Sequence, residues 1–291
     1  MTRWNIGLMV LAIAGTYILM TFQTTPVTAP PNFIDRPAID TKKLPLELDA
    51  LTWTEVRALL AEGKTTVIIP TGGTEQNGPH MVLGKHNYIM RYTSSRIAKA
   101  LGNTLIAPVI AYVPEGRIDP PSGHMAYHGT ISVGESVFAA TVRSAARSLQ
   151  QHGFKTILLI GDSGGNQAPL ASVAENLADE WSGSGVRVLH VSDYYSANGQ
   201  FEWLRGQGEA KADIGYHAGI RDSSELLVVF PNGIRPDRMR PSSAPGMSKS
   251  GVDGDPTRAS AKRGRILLGL KIDAALRQIR IFMKASTRKS S

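Results

Sequence analysis

Two short apolar runs each end in a glycine-rich loop, and this repeated join constrains the fold more than any other feature of the chain. Thr65 to Pro70 leads into a loop holding Gly72, Gly73 and Gly78, and Thr156 to Ile160 leads into Gly161, Gly164 and Gly165. Both runs are short, rich in Val, Ile and Leu, and lack alternation, which predicts strands buried on both faces. Helical segments separate them. Thr52 with Glu55 forms a capping box ahead of a helix through Leu60, and Asn87–Leu101 reads as the next helix. Ser132 with Glu135 forms a second box, opening a helix to about Gln151, and Pro169–Trp181 follows the second glycine loop. Strands are also predicted over Thr104–Val113 and Val186–Val191. An amphipathic helix over Arg265–Met283 carries Leu268, Ile272, Ala275, Ile279 and Phe282 on one stripe. The alternation predicts an α/β fold, a mostly parallel sheet flanked by helices on both faces. Ligands of such sheets bind beyond the carboxyl ends of the strands, so the two glycine-rich loops are the expected functional region.

Composition removes several classes of chemistry. The chain of 291 residues has no cysteine, which excludes thiol nucleophiles, Cys-ligated zinc, iron–sulfur clusters and disulfides. Its formal charge of +8 is local: residues 258–291 hold ten Lys/Arg against Asp273, a net +9, leaving −1 for everything before. A near-neutral body with a basic end lacks the distributed basic face that nucleic acid requires, so no nucleic-acid partner is expected. Arg3 followed by the uncharged run Trp4–Phe22 has the form of a secretory signal, with small residues at Val27-Thr28-Ala29. The same run is long enough to stay as a membrane anchor through residues 4–22. Either outcome predicts export to the periplasm. The layout expected is a signal or anchor over 1–30, a linker over 31–44, one domain over 45–285 and a basic disordered tail over 286–291.

Three loops carry the chemistry. The first runs from Thr71 to Asn87 and holds Glu75, His80, Lys85 and His86, a composition suited to metal ligation if the Gly and Pro residues fold it back. The second holds His124 and His128, and the third holds His217 and Asp222. The loop Gly161-Asp162-Ser163-Gly164-Gly165 also fits a G-x-S-x-G nucleophile elbow, which leaves a metal-free serine esterase or amidase as an alternative.

Taken in order, these blocks resemble the creatininase (creatinine amidohydrolase) family. Gly73 to His80 resembles the family block in which Thr-Glu-Gln-His precedes Gly-Pro-His, and His128 to Ser132 resembles Pro-Gly-Thr-Ile-Ser. Gly161 to Asn166 resembles Asn-Gly-His-Gly-Gly-Asn. His217-Ala218-Gly219 with Asp222-Ser223-Ser224 resembles His-Ala-Gly-x-x-Glu-Thr-Ser. Gly251 to Pro256 resembles the family's C-terminal pattern. The resemblance implies a metal-dependent hydrolase of C–N bonds in small amides or lactams, on a doubly wound fold that assembles into homo-oligomers, often hexamers. It also exposes departures: the His after Glu-Gln is Asn77, the bridging Asp falls at His86, and the loop His falls at Ser163. A dinuclear centre needs a bridging carboxylate, so one divalent ion is expected, zinc first with manganese or iron as alternatives. The expected ligands are Glu75, His86 and Asp222, with Lys85 pointing away. His217 is expected as a proton shuttle, with Ser163 and Asp162 as further catalytic residues. His80, His124 and Asn166 are expected to contact substrate. The substituted positions also allow a degenerate member that binds a small ligand without turnover. Fusing alkaline phosphatase after residue 40 is expected to give an active reporter in a bacterial host; an inactive cytoplasmic product would overturn export.

Overall fold

The computed structural model describes residues 39–242 and 250–287. The expected signal or anchor over 1–30, with its apolar run, and the last tail residues 288–291 lie outside the described residues. No described helix is long and apolar enough to cross a membrane.

Four parallel strands form the sheet: β1 (Thr66–Thr71), β2 (Thr104–Ile106), β3 (Thr156–Gly161) and β4 (Arg187–His190), in the order β2-β1-β3-β4. The period of two along β1 and β3 divides the core. Val67, Ile69, Ile157 and Leu159 pack on one face, beneath α1 (Trp53–Ala61), α3 (Glu135–Gln151) and α4 (Gln167–Glu180). Ile68, Leu158 and Ile160 pack on the other, beneath α2 (Lys85–Leu101) and α9 (Ala261–Thr287). All seven side chains are fully buried, each contributing about 1.5–3 kcal/mol of apolar burial. Four shorter helices link β4 to α9: α5 (Asp193–Ser196), α6 (Gln200–Gly206), α7 (Lys211–Ile214) and α8 (Ile220–Val229).

Local chemistry accounts for three departures from the expected boundaries. The Thr52 capping box forms, with Thr52 N donating to Glu55 Oε2 at 2.7 Å. The Ser132 box does not, because Ser132 Oγ accepts from Glu115 N and donates to Gly116 O, and Gly134 caps α3 instead. β2 stops at Ile106, since Pro108 has no N–H to continue the ladder, although Ile110 N still reaches Pro70 O at 3.0 Å. Helix α2 begins at Lys85, so His86 lies in its first turn and not in the loop.

The chain leaves β1 for β2 on one side and crosses to β3 on the other, so the loops after β1 and β3 diverge and open a crevice. One glycine lets backbone close around it, and another lets the two closing helices touch. A Cβ at Gly165 would lie 2.0 Å from Pro114 O, and one at Gly264 would lie 1.9 Å from Ser224 O, where α9 presses on α8. Helix α9 is also fixed by charge. Lys271, one of the ten basic residues of the C-terminal segment, is buried with Nζ 2.6 Å from Asp162 Oδ1 and 3.1 Å from Glu225 Oε2. Lys271→Met would leave Glu225 buried without a cation and Asp162 with His86 alone. It is expected to lower unfolding free energy by about 3–5 kcal/mol in urea titrations, and an unchanged midpoint would refute this role.

Candidate active site

A cavity of about 600 Å³ opens at the carboxyl ends of β1 and β3, lined among others by Glu75, Glu115, His124, Ser163, His217 and Asp222. Glu75 is its centre, only 2 % exposed. Its Oε1 receives His86 Nε2 at 2.8 Å and lies 3.5 Å from Lys85 Nζ, while Oε2 is 3.1 Å from His124 Nε2. Burial alone would raise its pKa, but the charges of His86 and Lys85 outweigh that and hold the carboxyl well below the usual range.

The first turn of α2 supplies those cations. His86 donates from Nε2 to Glu75 and from Nδ1 to Asp162 Oδ2 at 2.6 Å. Against burial and the Lys85 charge, the two carboxylates push its pKa up to about 9. As an imidazolium it has no lone pair left for an ion. Lys85 turns into the cavity instead of away from it, with Nζ 3.1 Å from Asp222 Oδ2. Lys85 and His86 thus place two positive charges between buried Glu75, buried Asp162 and half-buried Asp222. Asp222 Oδ2 also accepts from Ala218 N at 2.7 Å, a bond made by the left-handed backbone of Ala218 (φ +56°). Despite burial, Lys85 above all keeps Asp222 well below the carboxylate range.

Across the cavity are two imidazoles of the opposite character. His217 donates from Nε2 to Gln76 O at 2.9 Å, which leaves the Nδ1 lone pair facing Glu75 Oε1 at 3.7 Å. Burial, with Lys85 nearby, brings its pKa down to about 4. Burial also lowers that of His124, whose ring centroid is 4.5 Å from that of His217. One ligand atom each from Glu75, His124 and His217 lie within 4.8 Å of one another. One ionised carboxylate and two neutral imidazoles thus come together as a group that could hold a metal ion.

The remaining expected residues divide. Asp162 lines the cavity and joins His86 to Lys271 and to Tyr194, whose hydroxyl donates to Oδ1 at 2.9 Å. Ser163 Oγ donates to Glu115 Oε2 at 3.1 Å and has no imidazole partner among the described residues, so the nucleophile elbow lacks its base. His80 and Asn166 do not line the cavity. His80 Nε2 is 3.0 Å from Ser223 Oγ, and Asn166 Nδ2 donates to Thr71 O and Gly72 O, tying the β1 and β3 loops together. Sequence reasoning missed Glu115, 4 % exposed, whose carboxyl is pushed up to about 9 by burial and by Glu75. Its signal was a lone acid between Pro114 and Gly116 at the sheet's carboxyl edge. Lys271 was also missed, although it falls three residues after Leu268 on the apolar stripe of α9.

The model of one family, described as creatininase, creatinine amidohydrolase, matches residues 49–279. The chain belongs to the creatininase family. It is 25% identical to the creatinine amidohydrolase of Pseudomonas putida over 194 residues, covering 65% of this chain and 74% of that protein. The mycofactocin precursor peptide peptidase of Mycolicibacterium smegmatis is 25% identical over 234 residues, covering 74% and 84%. A crystal structure of creatinine amidohydrolase superposes with a TM-score of 0.66 at 22% identity over 80% of this chain and 96% of that one. A manganese form of creatininase gives 0.66 at 22% over 81% and 97%. The α/β architecture is that of the family, and the chain is a creatininase-like hydrolase.

The opposite imidazole shifts set a pH profile for the chelator-treated protein. His86 has its pKa raised, so its contribution is complete below about 6.5 and is lost as pH rises through about 9. His80 and His217 are brought down to about 4, so stability also falls as pH drops from about 6.5 toward 4. The depressed carboxylates act below that window, being fully ionised in both states above about pH 5. Urea midpoints are therefore expected to peak near pH 6.5. Glu115, with its carboxyl pushed up to about 9, adds to the alkaline decline, so in His86→Gln that decline should become shallower without vanishing, and an unchanged decline would rule out the imidazolium.

Proposed function

We propose that this creatininase-family protein hydrolyses a C–N bond in a small amide or lactam, using one divalent cation held by Glu75, His124 and His217. The convergence of those three ligand atoms within 4.8 Å carries the reading. Zinc suits two neutral imidazoles and one carboxylate with a position open to water. Solved relatives described as a manganese form and a Zn-Zn type of creatininase support a divalent ion at this crevice. An amidohydrolase and a peptide peptidase among the relatives support an amide bond.

A single ion follows from the substituted positions. Asn77 donates its amide to Glu75 O at 2.9 Å, His86 is an imidazolium, and Ser163 is bonded to Glu115. When bound, the ion would lower the pKa of a water and polarise the scissile carbonyl. The chain's own residues prepare the site. His86 and Lys85 keep Glu75 ionised, Gln76 O fixes the His217 tautomer, and the cavity admits a small polar molecule. Export to the periplasm belongs to the same proposal, on the strength of the charged start and apolar run of residues 3–22.

Untagged protein loaded with Zn²⁺ is expected to hold one ion per protomer and to hydrolyse members of a lactam and hydantoin panel in a chelator-sensitive way. His217→Ala is expected to lose most of the metal and at least about 10-fold in rate. A parent that takes up no ion would overturn the reading, and a loaded parent without turnover would favour ligand binding.

A further inference from the structure

We infer that the side-chain amide of Gln76 holds His124 in a tautomer that cannot bind a metal and has to turn before that imidazole can serve as a ligand, an inference that rests on the single-ion reading above. Gln76 is a positioning residue here, next in the chain to Glu75 and only 5 % exposed. Its Oε1 accepts from Gly78 N at 2.9 Å, and its Nε2 lies 3.1 Å from His124 Nδ1. A backbone N–H can only donate, so the atom it meets is the amide oxygen and the group facing His124 is the NH₂. His124 Nδ1 therefore accepts, and the ring proton sits on Nε2, 3.1 Å from Glu75 Oε2.

The same residue fixes the other imidazole with the opposite consequence. His217 Nε2 donates to Gln76 O at 2.9 Å, so its lone pair is on Nδ1, 3.7 Å from Glu75 Oε1. Both rings carry their proton on Nε2, but His217 offers Glu75's side of the cavity a lone pair and His124 offers it an N–H. For His124 to ligate through Nε2, its proton has to pass to Nδ1, with the ring neutral before and after. An Nδ1–H needs an acceptor, which the amide supplies only by exchanging Oε1 with Nε2. That exchange sets the NH₂ against Gly78 N, donor against donor, and breaks the bond between them.

The local backbone favours the amide as it stands. Gln76 N donates to Thr130 Oγ1 at 3.0 Å, and Gly78, at φ +67°, turns its N–H back onto Oε1. Room for that oxygen exists because residue 251 is glycine: a Cβ there would lie 2.1 Å from it. In Gln76→Glu both terminal atoms are acceptors, so one would keep Gly78 N while the other received His124 Nδ1–H, the carboxylate–histidine arrangement that supports a metal ligand.

The test takes the full chain with ¹⁵N-labelled histidine, free of metal and near neutral pH, and reads the ring tautomers by NMR, with His124→Asn and His217→Asn assigning the resonances. In the parent both rings are expected to be protonated at Nε2, and in Gln76→Glu the His124 proton is expected at Nδ1. Competition with a chromophoric chelator is expected to show Gln76→Glu binding Zn²⁺ at least about 10-fold more tightly than the parent, with circular dichroism reporting folding. A metal-free parent with His124 protonated at Nδ1 would overturn the inference, and this readout does not depend on Gln76→Glu folding. Parent-like affinity in a folded Gln76→Glu would overturn it as well. So would tighter binding with the His124 proton still on Nε2, since the added charge alone would then account for the gain. If neither chain binds Zn²⁺ while the tautomers are as expected, the single-ion reading falls and the proton positions set by Gln76 stand.

Discussion

The buried carboxylate of Glu75 is the constraint around which the rest of this molecule is arranged. An unpaired charge at that depth costs several kcal/mol, and β1 cannot present Glu75 to the crevice without burying it. His86 and Lys85 compensate it, but they are cations at the N-terminal turn of α2, where the helix dipole opposes them. They in turn require Asp162 and Asp222. Asp162 takes Lys271 from α9 as a further partner, and Lys271 takes Glu225 from α8. An alternating file of charges thus runs from the β1 loop through α2 and β3 to the two closing helices. Site geometry and helix packing are here one electrostatic problem.

How much of this was legible follows from what each signal depends on. Strands β1 and β3 could be read because continuous apolar runs stopped by glycine have few other outcomes. The Thr52 box could be read because both partners lie within one turn. Ser132 shows the limit: the same local pattern was present, but its hydroxyl was claimed by Glu115 N and Gly116 O, sixteen or more residues away in sequence. The location of the site was legible from topology, since loops at the carboxyl ends of parallel strands had to carry it. The pairing within the site was not. Whether His86 is a neutral ligand or an imidazolium depends on Asp162 and Glu75 arriving on both sides of the ring.

Lys271 and Glu115 were hidden for opposite reasons. Lys271 is one of ten basic residues in a segment that reads as solvated, and only its place on the apolar stripe distinguishes it. Glu115 belongs to a stretch without helical or strand periodicity, and it becomes important only because Gly73 and Gly165 allow two loops to meet at it. The meeting of loops at Glu115 is not encoded within a window of neighbouring residues, and neither is the arrival of Asp162 and Glu225 at Lys271.

The substitutions relative to the family pattern then form a coupled set. Replacing a bridging carboxylate with His86 removes one negative charge and adds one positive charge when the ring is protonated. Lys85, the next residue back, adds another where the site already holds Glu75, Asp162 and Asp222. These three anions are paired with Lys85, His86 and Lys271, the last of which also meets Glu225, so the chain's own cations hold the carboxylates before any ion arrives. A centre that depends on two metals for its charge balance lacks that independence. On the proposed reading, His86 and the two lysines therefore separate the two tasks that a dinuclear site combines. Lys85, His86 and Lys271 hold the carboxylates in place, and the imidazoles on the opposite wall are left for the single ion we propose.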